Sequence, residues 1–269
     1  MTHKKGRVLI IAGSDSGGGA GIQADIKTVT ALGGYAMTAI TAITAQNTLG
    51  VFGVHAAPVA IIRQQIDLVL DDIGADAIKT GMLASRAIVE TVAQALDEKA
   101  AGVFAVIDPV MIAKGGHPLL QAEAVDAVKA LLAPRAGLIT PNAPEAETLT
   151  GISVADLDGQ KRAAEALLKL GARAALVKGG HVAGETIRDV LAEPSGLSVF
   201  EGPRLATRAT HGTGCTLASA IAALIARGGT LPEAVSGARD YLLEAMRAAP
   251  DLGAGHGPLN HGWRCMRAD

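Results

Sequence analysis

The chain has 269 residues, 49% of them hydrophobic, with a formal net charge of −2 and aromatic residues at only 2%. That is apolar material enough for one large α/β domain or two small ones. Near-neutral charge excludes a basic field for a nucleic-acid backbone, few aromatics argue against base stacking, and no apolar run approaches the roughly 18 residues that span a membrane.

The basic start Met1-Thr2-His3-Lys4-Lys5 runs into an apolar stretch, Val8–Ile11, that is too short for a signal peptide. It reads instead as a buried parallel strand. The loop Ala12-Gly13-Ser14-Asp15-Ser16-Gly17-Gly18-Gly19-Ala20-Gly21 follows, then a helix with Ile22, Ile26 and Val29 on one face. Strand, Gly-rich loop and helix suggest a small ligand at the carboxyl end of a strand. The loop is neither a P-loop, lacking Gly-Lys-Ser/Thr, nor a G-x-G-x-x-G, lacking the third glycine. Composition alone puts Asp25 and Lys27 on a solvated helix face.

Residues 36–44 form a second expected strand, ending at Gln46-Asn47-Thr48. Gln46 and Asn47 can each donate to and accept from one heteroaromatic edge, and ordinary loop polarity is the other reading of them. A short strand is expected over 51–54. Pro58 suits the first turn of a helix carrying Val59, Ile62, Ile66, Val69 and Ile73 at spacings of three and four. Asp76–Leu83 reads as strand then loop, and Ser85 as the cap of a helix with Ile88, Val89, Val92 and Leu96 inward. The strand Val103–Ile107 ends at Asp108-Pro109-Val110-Met111, where Asp108 has two readings: a side chain pointing into a ligand crevice, or the start of an Asp-Pro turn. Lys114-Gly115-Gly116-His117 reads as a loop and 119–132 as a helix with Leu120, Ala124, Val128 and Leu131 inward.

The strand Gly137–Thr140 meets Pro141-Asn142-Ala143-Pro144-Glu145. Asn142 and Glu145 have two readings: holders of a hydrated magnesium ion, or a helix cap with Glu145 in the first turn. A helix over 161–170 leads to the strand 174–177 and to Lys178-Gly179-Gly180-His181, where a lysine and two glycines suit phosphate. Residues 186–191 and 197–200 form a hairpin. His211-Gly212-Thr213-Gly214-Cys215 then runs into an apolar helix to about Ala226. Its glycines let backbone N–H groups approach a ligand, and its helix start favours an anion. Cys215 there has two readings: a thiol with a lowered pKa and thiolate character, or a buried Cys in an ordinary Gly-rich turn. Leu231 to Ala245 forms one more amphipathic helix, and the tail from Gly253 to Asp269 is irregular. With only Cys215 and Cys265, far apart, there is no disulfide framework, and a cytosolic protein is expected. The alternation throughout predicts one open, mostly parallel sheet with helices on both faces and the marked loops on one edge.

Seven stretches in this order carry a resemblance over essentially the whole chain: Ala12–Asp25, Ala45–Thr48, Lys79–Leu83, Asp108–Met111, Thr140–Glu145, Val177–His181 and His211–Cys215. The chain resembles the bacterial hydroxymethylpyrimidine/phosphomethylpyrimidine kinases of thiamine biosynthesis, in the ribokinase-like superfamily. The resemblance implies a single three-layer α/β/α domain over 1–269, a homodimer, ATP and Mg²⁺. It implies two reactions: phosphorylation of the hydroxymethyl group of 4-amino-5-hydroxymethyl-2-methylpyrimidine, then of its monophosphate to the diphosphate. By the same resemblance Gly13, Ala20, Asp25, Gln46, Met82 and Val110 would form the pyrimidine pocket. Asp108, Asn142, Glu145 and Lys178 would serve Mg–ATP, with Glu145 and Asp108 reaching the metal largely through water. Gly212, Thr213, Gly214 and Cys215 would form the anion hole, with Cys215 where many sugar kinases carry Asp. Two other readings remain: pyridoxal kinase activity on the same scaffold, and a non-catalytic protein that binds a vitamin precursor.

Overall fold

A computed structural model describes residues 6–112, 116 and 119–264. Lys114, Gly115 and His117 of the expected loop, and Cys265 of the tail, lie outside the described residues. The first half of the chain contributes β1 (Arg7–Asp15), α1 (Gly21–Ala31), β2 (Tyr35–Asn47), β3 (Gly50–Ala56), α2 (Val59–Asp72), β4 (Ala77–Thr80), α3 (Arg86–Lys99) and β5 (Phe104–Ile107). The second half contributes α4 (Ala122–Ala127), β6 (Leu138–Ile139), α5 (Ala143–Thr150), α6 (Leu157–Lys169), β7 (Ala175–Val177), β8 (Thr186–Glu193), β9 (Gly196–Pro203), α7 (Thr213–Ala226) and α8 (Leu231–Arg247).

Strand β1 shows why its apolar run is continuous. Val8, Ile10 and Ala12 pack with Ile22 and Val29 of α1 and with Leu217 and Ile221 of α7. Leu9 and Ile11, pointing the other way, pack with Ile62 and Ile66 of α2 and Val89 and Val92 of α3. A strand covered on both faces has no solvent side, so every position from Val8 to Ala12 is apolar. The sheet order is β3-β2-β1-β4-β5-β6-β7-β8-β9. Strands β1, β2 and β4 to β7 are parallel, and β3, β8 and β9 add antiparallel edges. Helices α1, α7 and α8 cover one face and α2 to α6 the other, the three-layer arrangement expected. The chain steps outward from β1 to β2 and β3, then crosses to β4 on the other side of β1. A crevice opens at such a reversal, outside the carboxyl ends of the strands.

Several boundaries differ from expectation. Strand β2 runs on to Asn47 because Ala42–Asn47 pairs antiparallel with β3. The expected helix over 119–132 is α-helical only over Ala122–Ala127, continues as a wider turn to Leu132 and ends in a tight turn at Ala133–Arg135. Pro134 has no N–H to continue a helix. Ile26, expected inward, is exposed, and the buried face of α1 holds Ile22, Ala24, Asp25, Thr28 and Val29. The tail is irregular to residue 264, as expected, yet Leu259 and His261 within it are buried.

Candidate active site

A cavity of about 330 Å³ lies over the carboxyl edge of the sheet. Its walls include Gly13 near the end of β1, Ala20 after it, Gln46 at the end of β2, Met82 after β4, and Asp108 and Val110 after β5. Asn142 and Glu145 after β6, Lys178 after β7, and Gly212, Thr213, Gly214 and Cys215 complete it. Thus residues spread from 13 to 215 meet because successive parallel strands end on one edge.

One expected pocket residue is not on the wall. Asp25 is fully buried, and the ammonium of Lys79 donates to both its carboxylate oxygens at 2.9 Å. Ser219 of α7 donates to it at 2.7 Å. The pair ties α1, β4 and α7 together beneath the cavity, and it is Lys79 that reaches the lining. This also overturns the solvated-face reading of Asp25, whereas Lys27 is exposed as expected and donates to Gly18 O at 2.9 Å. Burial works against the Lys79 charge, but Asp25, Cys215 and Asp108 outweigh it and raise its pKa.

The loop after β1 is organised by Asp15. Its carboxylate accepts N–H groups from Gly17, Gly19 and Ala20 at 2.7, 3.0 and 2.7 Å. His211 Nε2 lies 2.8 Å from the same group. Burial raises Asp15, but the His211 contact and the backbone donors prevail and leave its pKa lowered. Gly212 has φ +81°, and a Cβ there would run into the Gly19 carbonyl oxygen, so the two loops meet backbone to backbone. On the ring side, a Cβ at Gly13 would run into Met82 Cε. Gln46 Nε2 donates to Thr44 Oγ1 at 2.8 Å, which orients the amide along the wall.

Helix α7 begins at Thr213, immediately after the left-handed Gly212. Its first N–H groups have no partner within the helix and carry the positive end of the dipole. Lys178 Nζ is 3.3 Å from where a Gly214 Cβ would stand, which places a cation beside this helix end. The surroundings work against the expected thiolate: burial pushes the Cys215 thiol up to about 11, although Lys79 pulls it down. Desolvation of the charged form outweighs one neighbouring cation, and Asp25 and Asp108 add to it.

Lys178 donates to Asp108 Oδ1 at 2.8 Å, and Thr140 Oγ1 donates to the same oxygen at 3.0 Å. Asn142 and Glu145 form a reciprocal cap at the start of α5: Asn142 Oδ1 accepts the Glu145 N–H at 2.9 Å and Glu145 Oε2 accepts the Asn142 N–H at 2.8 Å. The capping reading is therefore realised. Burial raises the Glu145 carboxyl to about 7, against the pull of Lys178. No group of three or more His, Cys, Asp or Glu side chains among the described residues is arranged to hold a metal. Two carboxylates already engaged by protein donors fit a magnesium ion bound through water and phosphate oxygens, which suits its preference for few protein ligands.

Lys79, Asp15 and His211 enter the site only with the structure. The sequence signals for them were weak: a lysine and an aspartate at strand ends, and a histidine just before a Gly-rich helix start.

Residues 15–260 match the phosphomethylpyrimidine kinase family. The chain belongs to that family. It is 50% identical over 256 residues to the hydroxymethylpyrimidine/phosphomethylpyrimidine kinase of Bacillus subtilis, covering 95% of this chain and 94% of that one. It is equally similar, at 50% over 258 residues, to the thiamine biosynthesis bifunctional protein ThiED of Geobacter sulfurreducens, of which it spans 52%. Among solved structures, phosphomethylpyrimidine kinase from Clostridium difficile superposes with a TM-score of 0.80 at 44% identity, over 89% of this chain and 98% of that one. An ADP complex of Bacillus subtilis pyridoxal kinase superposes with a TM-score of 0.90 at 38% identity, over 97% and 99%. The family member described here is thus a kinase of the ribokinase-like fold. None of its described helices is long and apolar enough to cross a membrane.

Proposed function

We propose that this chain is an ATP-dependent kinase that phosphorylates 4-amino-5-hydroxymethyl-2-methylpyrimidine and then its monophosphate to the diphosphate, in thiamine biosynthesis. Residues 1–269 act as one kinase domain, which we place in the cytoplasm as a homodimer, as the family resemblance implies. One observation carries the reading. Gln46, suited to a nitrogen heterocycle's edge, and the start of α7, suited to a phosphoryl group, open onto the same cavity, with Lys178 beside the helix end.

Phosphoryl transfer depends on positioning and charge neutralisation more than on covalent chemistry. In this reading Gln46 reads the ring edge while Gly13, Ala20, Met82 and Val110 pack around the ring. The amides of Thr213, Gly214 and Cys215, freed by Gly212, hold charge on the transferring group. Lys178 and Asn142 attend the ATP phosphates. Glu145 and Asp108 would hold magnesium there, which when bound would supply further charge neutralisation. In the first step Cys215 acts as a neutral thiol that orients the attacking hydroxyl, whose proton passes to an oxygen of the transferring phosphoryl group as the new O–P bond forms and the bond to ADP breaks. The second step attacks with an ionised phosphate oxygen and needs no such group.

The competing acceptor is pyridoxal, favoured by the superposition on the Bacillus subtilis pyridoxal kinase. The deciding assay is magnesium-dependent ATP consumption with hydroxymethylpyrimidine, its monophosphate and pyridoxal side by side. The expected ranking by kcat/KM puts both pyrimidines above pyridoxal; the reverse order overturns the assignment. Pyrimidine binding without ATP turnover would instead point to a non-catalytic binding protein.

A further inference from the structure

The tail crosses the site from behind and touches both of its halves. At one end, Gly255 N and His256 N donate to Thr48 Oγ1 and O at 3.3 and 2.8 Å. Thr48 is the turn between β2 and β3, two residues past Gln46. A Cβ at Gly255 would run into the Thr48 carbonyl oxygen, so the approach there is backbone to backbone. In the middle, His211 N donates to Gly257 O at 3.1 Å, and His211 forms a parallel bridge with Pro258. At the far end, the buried ring of His261 has Nε2 2.9 Å from Thr216 Oγ1, in the first turn of α7. Tyr241 of α8 donates to His261 O at 2.6 Å, and Leu259 is buried beside Ala245. The segment is irregular, yet it is anchored by apolar packing and hydrogen bonds at both ends.

We propose that residues 253–261 are a positioning strap that holds the ring-side hairpin and the anion-binding start of α7 at one spacing. The proposal rests on the two-subsite reading above. It makes Gly255 and His261 positioning residues, neither of which lines the cavity. A transfer reaction is sensitive to such spacing, since a misplacement of about 1 Å can cost ~10²-fold in rate. The two ends act on different halves of the reaction. Lifting the hairpin moves Gln46 and weakens ring binding, a KM effect. Loosening Thr216 moves the amides that act on the migrating phosphoryl group, a kcat effect.

The test uses the full chain with Gly255→Ala, His261→Leu and His261→Gln, the last restoring a group that reaches the Thr216 hydroxyl. Whichever acceptor the wild type phosphorylates best is the reference, so the wild-type values test the function and the variant-to-wild-type ratios test the strap. Gly255→Ala is expected to raise acceptor KM about tenfold with kcat and ATP KM within about twofold. His261→Leu is expected to lower kcat at least about tenfold with acceptor KM within about threefold, and His261→Gln to recover most of the loss. Thermal unfolding is measured alongside. The strap is refuted if Gly255→Ala keeps the wild-type acceptor KM. It is refuted equally if the histidine variants lose activity only in step with stability, without rescue by Gln. Should His261→Leu fail to fold, the acceptor KM of Gly255→Ala decides alone.

Discussion

The state of the Cys215 thiol is the sharpest point on which the mechanism can be tested. With its pKa near 11, roughly one molecule in 3,000 carries a thiolate at pH 7.5, which is 3.5 pH units lower. A general base is worth about 10²–10⁴-fold. A thiolate so scarce would forfeit most of that gain, so the neutral S–H is the working form and its task is orientation. Three outcomes follow from this for the first step. The rate with hydroxymethylpyrimidine gains nothing from Cys215 ionisation between pH 7.5 and 9, whereas a thiolate base would add about 30-fold over those 1.5 units. Cys215→Ser, which keeps a hydroxyl in place of the thiol, stays within about tenfold of wild type. Cys215→Ala, which removes that orientation, falls about 10²-fold in the first step and less than about threefold in the second. The assay is steady-state ATP consumption with each acceptor across that pH range, in wild type and both variants. A steep rise with pH in the wild type that Cys215→Ser abolishes would refute the neutral-thiol argument. Equal losses in both steps for Cys215→Ala would refute its restriction to the hydroxyl acceptor.

Lys79→Met leaves Asp25 buried and unpaired, so it is expected to cost about 3–5 kcal/mol in urea unfolding, and Asp25→Leu/Lys79→Met to regain most of it; a loss under about 1 kcal/mol for the single variant would contradict the buried-pair assignment. Glu145 has a folded pKa of about 7 against 4.5 for the free group, so the folded state holds the proton more tightly. Its contribution is therefore present below pH 4.5 and is lost as pH rises to 7, about 3 kcal/mol in all, and Glu145→Gln, which keeps the cap, is expected to remove that slope. Parallel stability–pH curves for the two proteins would show the carboxyl to be unperturbed. Gly212→Ala combines a left-handed backbone, φ +81°, with a clash against Gly19 O, and is expected to lose about 1–3 kcal/mol and ~10²-fold in kcat. Gly228→Ala, at φ +98° with open space around it, carries the backbone strain alone and should keep its activity; equal kcat values for the two variants would count against the anion nest.

Much of the fold is legible along the chain. The apolar runs at Val8–Ile11 and Val103–Ile107, the inward spacings of α2 and α3, and the hairpin around Pro194-Ser195-Gly196 all express local periodicity and turn chemistry. The cap at Asn142 and Glu145 was equally readable, because both partners sit within one helical turn. So was the gathering of the loops on one edge, since it follows from parallel strands joined by helices. Only the folded chain decided the fate of Asp25, whose partner Lys79 lies 54 residues away, and of Asp15, whose partner His211 lies 196 away. It also reversed the expectation for Cys215. A helix start taken alone favours the thiolate, but burial disfavours the charge more strongly. Periodicity, caps and turns are properties of neighbours in sequence and can be read there. Desolvation and ion pairing depend on neighbours in space, and those exist only once the layers have packed.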